Sequence, residues 1–341
     1  MAEKNDTAGR QFMMDLRSKP LKPLYVFFGE ESYRRQTALG FLKRRLVPDA
    51  GSMWDLIEFR EKTSPADIAE AVSTPPVMAD KKLVIAYDYD PLKNDISPVL
   101  KELNDECCLV FYLSDENWKP DKRLKAYKEI AAKGVFADFA LASGEELAGF
   151  VGRCFSDRGK KISRDDIEYL CFICSPRMGE LINEIEKISA FARGEVIRRE
   201  EIDAVATHAV EARIFEMCDE LSAGRWSKAL DMIGDLEHAG ESAIAVMSVI
   251  ARQFRQLYAA RLAQNARKSD DYIMKILSLR YISIARRISA SASRISLSRL
   301  RTALVLCRET DAALKSSGAD PYELVRLFVL KYASCEERAG A

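Results

Sequence analysis

The sequence predicts a two-part fold class, an N-terminal parallel α/β domain followed by an all-helical region. Residues 21–140 alternate short apolar runs with amphipathic segments, the pattern of parallel strands separated by covering helices. After residue 140, every periodic segment has helical spacing, and no further strand is expected. The chain has 341 residues and a hydrophobic content of 48%, enough for two or three domains with cores of their own.

The opening strand–turn–helix unit organises the α/β domain. Leu24–Phe28 predicts a strand buried on both faces, and Glu31–Leu46 predicts a helix. In nucleotide-binding domains the turn between them is Gly-rich and carries a Lys, because backbone N–H groups and an ammonium hold phosphate there. Here it reads Gly-Glu-Glu-Ser, and its two carboxylates would repel a triphosphate. We interpret it as a nucleotide-binding architecture without the nucleotide; any α/β domain that opens with a strand and a helix remains an alternative.

The other elements of the α/β domain follow from the same patterns. The further predicted strands are Asp55–Phe59, Leu83–Tyr87, Leu109–Leu113 and Val135–Phe139. The further predicted helices are Ser64–Ser73, Leu92–Leu103 and Asp121–Ala132.

The helical region predicts a small cluster of helices at 141–210 and a larger bundle from residue 211. Apolar stripes at helical spacing mark the bundle helices. The stripes are Ile214, Cys218 and Leu221; Leu230, Ile233 and Leu236; Ile244, Met247, Ala251, Phe254 and Tyr258; Leu297, Leu300, Leu304 and Cys307; and Leu324, Leu327, Phe328 and Tyr332.

Charge and cysteine usage exclude several classes of protein. The formal net charge is zero, which excludes a generally basic, histone-like binder. No apolar run approaches the roughly 20 residues of a membrane span, and the polar N-terminus lacks a signal sequence, so a cytoplasmic protein is expected. The eight cysteines are expected to be reduced, and most of them buried. Cys171-x-x-Cys174 suggests zinc or redox chemistry, but without a second pair at metal spacing core packing is the favoured interpretation.

Five stretches, in their order and spacing, resemble the family of delta subunits of bacterial DNA polymerase III. The resemblance runs from about Pro23 to Tyr332. The stretches are LYVFFGEESY from Leu24; PVMADKKLV from Pro76; DKRLKAYK from Asp121; Leu181 with the EIEK run from Glu184; and Ile214-Phe215 with ARQFRQL from Ala251 and DAALK from Asp311.

The resemblance implies a clamp-loader subunit that binds and opens the sliding clamp for loading onto primed DNA, without ATP hydrolysis of its own. The implied domains are a degenerate P-loop (AAA+-type) α/β domain at 1–140 with the clamp-contacting element, a helical lid at 141–210, and a helical collar at 211–341 that joins other clamp-loader subunits. Catalytic residues, a metal and a cofactor are not expected, although the resemblance makes the chain a subunit of a DNA-directed DNA polymerase, a nucleotidyltransferase.

The family resemblance assigns clamp binding to Val77 and Met78. They follow Pro75-Pro76, which stiffens the approach and prevents a helix from continuing. The matching family positions insert into a hydrophobic pocket of the clamp and are commonly a Leu-Phe pair, so the Val-Met pair offers less aromatic area. By residue type alone, burial of both in the domain core is the alternative.

A strongly basic region spans residues 252–301. Candidate contacts with DNA or with partner subunits are Arg252, Arg255, Arg286 and Arg287. The region lacks the aromatic interleaving of a single-strand-binding platform. A solvated face, or pairing with acidic neighbours in the assembly, is therefore favoured over direct DNA contact.

Two other functions remain open. One is an active P-loop-type ATPase of DNA metabolism with an unusual loop, since Asp88-Tyr89-Asp90 follows a predicted strand as a magnesium-binding Asp does. Without the phosphate loop, this run and Ser114-Asp115-Glu116 are interpreted as loop chemistry. The other alternative is a helical scaffold that has no clamp partner.

Overall fold

The computed structural model describes residues 12, 14–49, 51–60, 62–142 and 144–337. The chain divides into two compact units. The first comprises the residues up to Leu147 together with Arg177–Gly179, and the second comprises Ala148–Pro176 and the residues from Glu180 onward. The division into domains at 1–140, 141–210 and 211–341 stays a prediction, and the polar N-terminus up to residue 11 lies outside the described residues.

The first unit is built on a five-stranded parallel sheet. The strand order is β2-β3-β4-β1-β5, and every neighbouring pair is parallel. The strands are β1 Leu24–Phe28, β2 Leu56–Phe59, β3 Lys82–Tyr87, β4 Cys107–Tyr112 and β5 Val135–Asp138. All five lie within two residues of the bounds predicted from the apolar runs, so the parallel α/β class is confirmed.

Side chains alternate across β1 between two cores, as its uninterrupted apolar sequence predicts. Leu24, Val26 and Phe28 pack into a core on one face of the sheet. Tyr25 and Phe27 pack into a core on the other face. The covering helices are α1 Ser32–Leu46, α2 Pro65–Ser73, α3 Ser97–Glu102 and α4 Lys125–Lys133.

Two of these helices begin four or five residues later than predicted, whereas the other two begin one residue later. The segment predicted as helical from Leu92 becomes α3 only at Ser97, because Pro98 has no N–H to donate and suits only the first helical turn. The segment predicted from Asp121 becomes α4 at Lys125. The Asp121 side chain instead accepts a hydrogen bond from the Arg123 backbone N–H at 3.0 Å, which holds a turn before the helix.

From residue 144 the described chain is mainly helical. The helices are α5 Gly144–Ser156, α6 Arg164–Ile173, α7 Met178–Phe191, α8 Arg199–Val205, α9 Val210–Ser222, α10 Trp226–His238, α11 Ala243–Asn265, α12 Asp270–Ile276, α13 Ile282–Ser293, α14 Leu297–Ser316 and α15 Pro321–Glu337. The expectation of no further strand is wrong, because β6 Lys161–Ile162 and β7 Val196–Ile197 form a parallel pair. Strands of two residues are too short to show a period in the sequence.

Helices α9–α15 enclose one continuous apolar core, which confirms the predicted helical bundle. The predicted face of the last helix is partly wrong: Leu327 is 42% exposed, while Val325 and Val329 are buried beside Phe328 and Tyr332. Apolar residues surround much of α15, so its sequence period does not single out one face. Within the described residues, no helix has both the length and the hydropathy to cross a membrane.

Candidate interaction site

Val77 and Met78 lie in an irregular segment between α2 and β3. A capping box between Ser64 and Asp67 starts α2. The helix ends at Ser73, and Pro75-Pro76 follows. The Val77 residue is 69% exposed and Met78 is 70% exposed, so the alternative that both belong to the core is wrong. Two adjacent apolar residues therefore face solvent, and their role in clamp binding stays a prediction.

A buried aspartate holds this segment in place. Asp55 ends a short 3₁₀ helix, Gly51–Asp55, directly before β2, and its side chain is fully buried. Its carboxylate accepts three backbone N–H bonds: Oδ1 from Val77 at 2.6 Å, and Oδ2 from Met78 at 2.8 Å and from Ala79 at 2.7 Å. One side chain thus fixes three consecutive backbone amides.

The pKa of Asp55 depends on these three hydrogen bonds. Burial raises the pKa of its carboxyl, but the N–H donors of Val77, Met78 and Ala79 outweigh burial and hold the pKa below its ordinary value. A lowered folded-state pKa means that the ionised form stabilises the fold. This stabilisation is fully present above the ordinary carboxyl pKa and is lost as the pH falls through the lowered value.

The turn where a phosphate loop would lie is closed. Only Gly29, Glu30 and Glu31 separate β1 from α1, whereas a phosphate loop spans about eight residues. Gly29 has a φ of +116°, and a Cβ there would lie 2.7 Å from the backbone of Phe139. The Glu31 N–H donates to the Phe139 carbonyl at 2.8 Å, which fastens the turn to the end of β5.

The chain's own carboxyl group occupies the start of α1. Glu31 is 1% exposed, and its Oε2 accepts a bond from the backbone N–H of Met178 at 3.3 Å. Burial raises the pKa of Glu31, and the Met178 N–H acts in the opposite direction without cancelling that effect. A helix N-terminus attracts anions, and here a buried side-chain carboxyl already lies at it.

Two arginines complete the closed turn. Arg35 is buried; its Nη1 donates to the Gly29 carbonyl at 2.7 Å, and its guanidinium lies 5.3 Å from the centre of the Tyr112 ring. Arg177 forms a bidentate pair with Glu116 at 2.6 and 2.7 Å, which lowers the pKa of that carboxyl. Both guanidinium groups are thus bound to partners within the unit.

A cavity of about 690 Å³ beside α1 is lined by Arg35, Lys43 and Arg60. Two of these cations share one carboxylate, because Lys43 and Arg60 both pair with Glu58. Cations that are already paired are weaker ligands for an added phosphate than free ones.

Acidic side chains in the loops after β3 and β4 accept hydrogen bonds that hold these loops, as interpreted from the sequence. Asp88 Oδ1 accepts a bond from the Ser114 N–H at 2.6 Å. Asp90 accepts from the Leu92 N–H and from the Trp118 indole, each at 2.9 Å. These bonds connect the two loops to each other and to their own turns.

The candidate arginines lie on two helices that pack together, α11 and α13. Arg252 lies 3.7 Å from the Glu211 carboxylate. Arg287 covers the rings of Phe172 and Phe215, at 4.6 and 5.0 Å from their centres. Arg255 and Arg286 are exposed. The contact of these side chains with DNA or with subunits stays a prediction. Of the four, Arg287 is the one that packs against aromatic rings of its own unit.

Cys171 and Cys174 are both buried, as predicted for core thiols. Burial raises the pKa of Cys171 to about 11 and that of Cys174 to about 12. The residues that the structure describes contain no group of three or more His, Cys, Asp or Glu side chains arranged to hold a metal.

We expect these two thiols to resist alkylation in the folded protein. With a pKa near 11, only about one Cys171 thiol in a thousand is ionised at pH 8, and burial restricts access further. Iodoacetamide labelling with peptide mass spectrometry should show little modification at either position after an hour. Guanidinium-unfolded protein is the control, and labelling of the native protein at the unfolded rate would contradict the expectation.

Sequence reasoning missed Asp55 and Arg177 as elements of these sites. The hydrogen-bond partners of Asp55 lie 22 to 24 positions away along the chain. Those of Arg177, Glu116 and Glu30, lie 61 and 147 positions away. For Asp55 the only local signal was its place between the apolar pair Met53-Trp54 and a strand. An aspartate in such a place is too common to be informative.

These features define a class of fold: a parallel α/β domain, with a short closed turn between its first strand and first helix, in a chain that ends in a helical bundle. Comparison with known proteins then shows which family the chain is similar to. Residues 211–332 match the family model of the DNA polymerase III delta subunit, C-terminal domain. The resemblance predicted from the five stretches is therefore confirmed.

Full-length relatives agree with this match. DNA polymerase III subunit delta of Bacillus subtilis is 20% identical over 336 residues, which cover 95% of this chain and 96% of that protein. The probable DNA polymerase III subunit delta of Aquifex aeolicus is 22% identical over 333 residues, with 94% of each covered. The solved structure of the Bacillus subtilis DNA clamp loader delta protein has a TM-score of 0.55 and 19% identity, over 96% of this chain and 99% of that one, so the fold is shared.

Proposed function

We propose that this protein is the subunit of a cytoplasmic DNA polymerase III clamp loader that binds and opens the sliding clamp. Val77 and Met78 would enter an apolar pocket of the clamp, and the helical bundle would join the other loader subunits around primed DNA. The observation that carries the proposal is the pair of apolar side chains exposed by 69% and 70% on a segment that Asp55 holds in place. The subunit names of its relatives support the assembly.

In this proposal the chain does not hydrolyse ATP itself. The absence of hydrolysis is supported by the three-residue turn, by the buried Glu31 at the start of α1, and by the pairing of Arg35 and Arg177 within the unit. Movement of nucleotide-binding partner subunits would then expose or cover the clamp-binding segment, through contacts that differ between two states.

We expect the purified protein to bind the sliding clamp of its own organism without nucleotide. Surface plasmon resonance with immobilised clamp should give a saturable response, and calorimetric titration with Mg-ATP at high protein concentration should give no binding heat. A clamp ring from a distant organism serves as a specificity control. Absence of clamp binding would overturn the proposal, and a saturable ATP isotherm would overturn its nucleotide-free part.

A further inference from the structure

The surface next to Val77 and Met78 carries a second exposed apolar pair. Met53 is 63% exposed and Trp54 is 79% exposed, and both belong to the 3₁₀ helix that ends at Asp55. The Trp54 backbone is covalently joined to Asp55, whose carboxylate lies 2.6 Å from the Val77 nitrogen. One buried side chain therefore joins two exposed apolar segments that are more than twenty positions apart.

The exposure of Trp54 contrasts with that of the other two tryptophans. Trp118 packs against Phe28 and donates its indole N–H to Asp90. Trp226 packs against Tyr332 at a ring distance of 6.1 Å. Tryptophan is large and usually well buried, and among interface residues it is enriched at the positions that contribute most binding energy.

A polar margin borders the apolar surface. Met78 lines a groove of about 420 Å³ whose walls also include Ser52, Asp80 and Lys81. An apolar centre with a polar rim is the usual anatomy of a protein–protein interface.

We propose that the clamp-contacting element has two parts, Val77-Met78 and Met53-Trp54, and that Asp55 is the positioning residue that holds them as one surface for the sliding clamp. This proposal rests on the proposed function. Trp54 supplies the aromatic area that Val77 and Met78 lack. Asp55 acts through the three amides it accepts, so that both segments meet the clamp without an ordering cost at binding.

The chemistry of Asp55 explains why a close substitute should fail. In the Asp55→Asn variant the side chain would retain one acceptor oxygen, and its NH₂ would point at backbone N–H groups that need an acceptor. In either orientation of the amide, at least one of the three bonds is replaced by a donor facing a donor. At most two bonds then hold the segment from Val77 to Ala79, while its side chains are unchanged.

Clamp-binding affinity of single variants tests the proposal. We expect Trp54→Ala and Asp55→Asn each to weaken binding about tenfold or more. The matched controls are Phe191→Ala, an aromatic residue that is 55% exposed in the other unit, and Asp67→Asn, an aspartate that accepts a backbone N–H at the start of α2. Both controls should bind within about twofold of the wild type.

A double-mutant cycle separates positioning from general destabilisation. If Asp55 acts through the segment, Asp55→Asn combined with Met78→Ala should bind only about as weakly as the weaker single variant, because the two changes remove the same interaction. Thermal unfolding verifies that each variant is folded. If the Asp55→Asn variant does not fold, the clamp affinity of the Trp54→Ala variant still tests the proposal, because Trp54 is exposed. Wild-type affinity of Trp54→Ala, or additive losses in the cycle, would overturn the proposal while leaving clamp binding by Val77 and Met78 intact. Failure of the wild type to bind the clamp would overturn both.

Discussion

Replacing both Val77 and Met78 by glutamate is expected to reduce binding of the sliding clamp by about a hundredfold or more. The two side chains are the exposed apolar pair of the held segment, and they would have to leave water on entering a pocket. A carboxylate buried without a partner costs several kcal/mol, and two of them face the same pocket, so residual binding should fall below detection.

The fold should survive this change. Because both residues are about 70% exposed, the substitution removes little core packing, and thermal unfolding should shift by no more than a few degrees. Only their backbone N–H groups bind Asp55, and glutamate keeps those groups. A double exchange of Met14 and Leu124, exposed by 54% and 41%, for glutamate controls for added surface charge. Undiminished clamp binding by Val77→Glu/Met78→Glu would show that the clamp contacts another surface.

Substituting Gly29 by alanine is expected to destabilise the first unit by roughly 3 kcal/mol or more. Two costs combine at this position. The φ of +116° is unfavourable for any residue with a Cβ, and the added methyl would lie 2.7 Å from three backbone atoms of Phe139. Phe139 directly follows β5, where backbone atoms cannot yield without breaking the bond from its N–H to the Phe28 carbonyl.

Alanine substitutions at two other glycines distinguish the cost of the positive φ from the cost of the steric clash. Gly240 has a φ of +76° and open space around it, so Gly240→Ala should cost only about 1 kcal/mol of backbone strain. Gly40 lies inside α1, where alanine should be neutral or stabilising by up to about 1 kcal/mol. Urea unfolding followed by circular dichroism measures all three variants, and hydrogen exchange of the β1 amides follows the two substitutions in the first unit. A Gly29→Ala variant as stable as Gly240→Ala would show that the turn relaxes freely.

Much of the fold could be predicted because the strands and helices carry their own periods. Leu24–Phe28 is apolar at every position because both faces of β1 are covered, and its bounds were predicted correctly. The errors fall where the period is weak. Pro98 delays the start of α3, β6 and β7 are only two residues long, and α15 is apolar on more than one face.

The candidate interaction site was predictable only in part. The resemblance to delta subunits pointed to Val77 and Met78, but their residue types alone favoured burial. Asp55 and Trp54 gave no informative local signal, because an aspartate and a tryptophan beside a strand are ordinary in both cores and turns. Their significance depends on bonds to amides 22 to 24 positions away.

The amino-acid sequence by itself determined the parallel α/β class, the helical C-terminal part, the lack of a phosphate loop and the resemblance to the delta subunit family. These properties follow from local periods and short motifs, which need no knowledge of distant neighbours. Only the tertiary structure decided that Val77 and Met78 are exposed, that Asp55 holds them, and that Glu31 lies buried at the start of α1. Burial and long-range hydrogen bonds depend on which segments fold against one another, and that is a property of the packed chain.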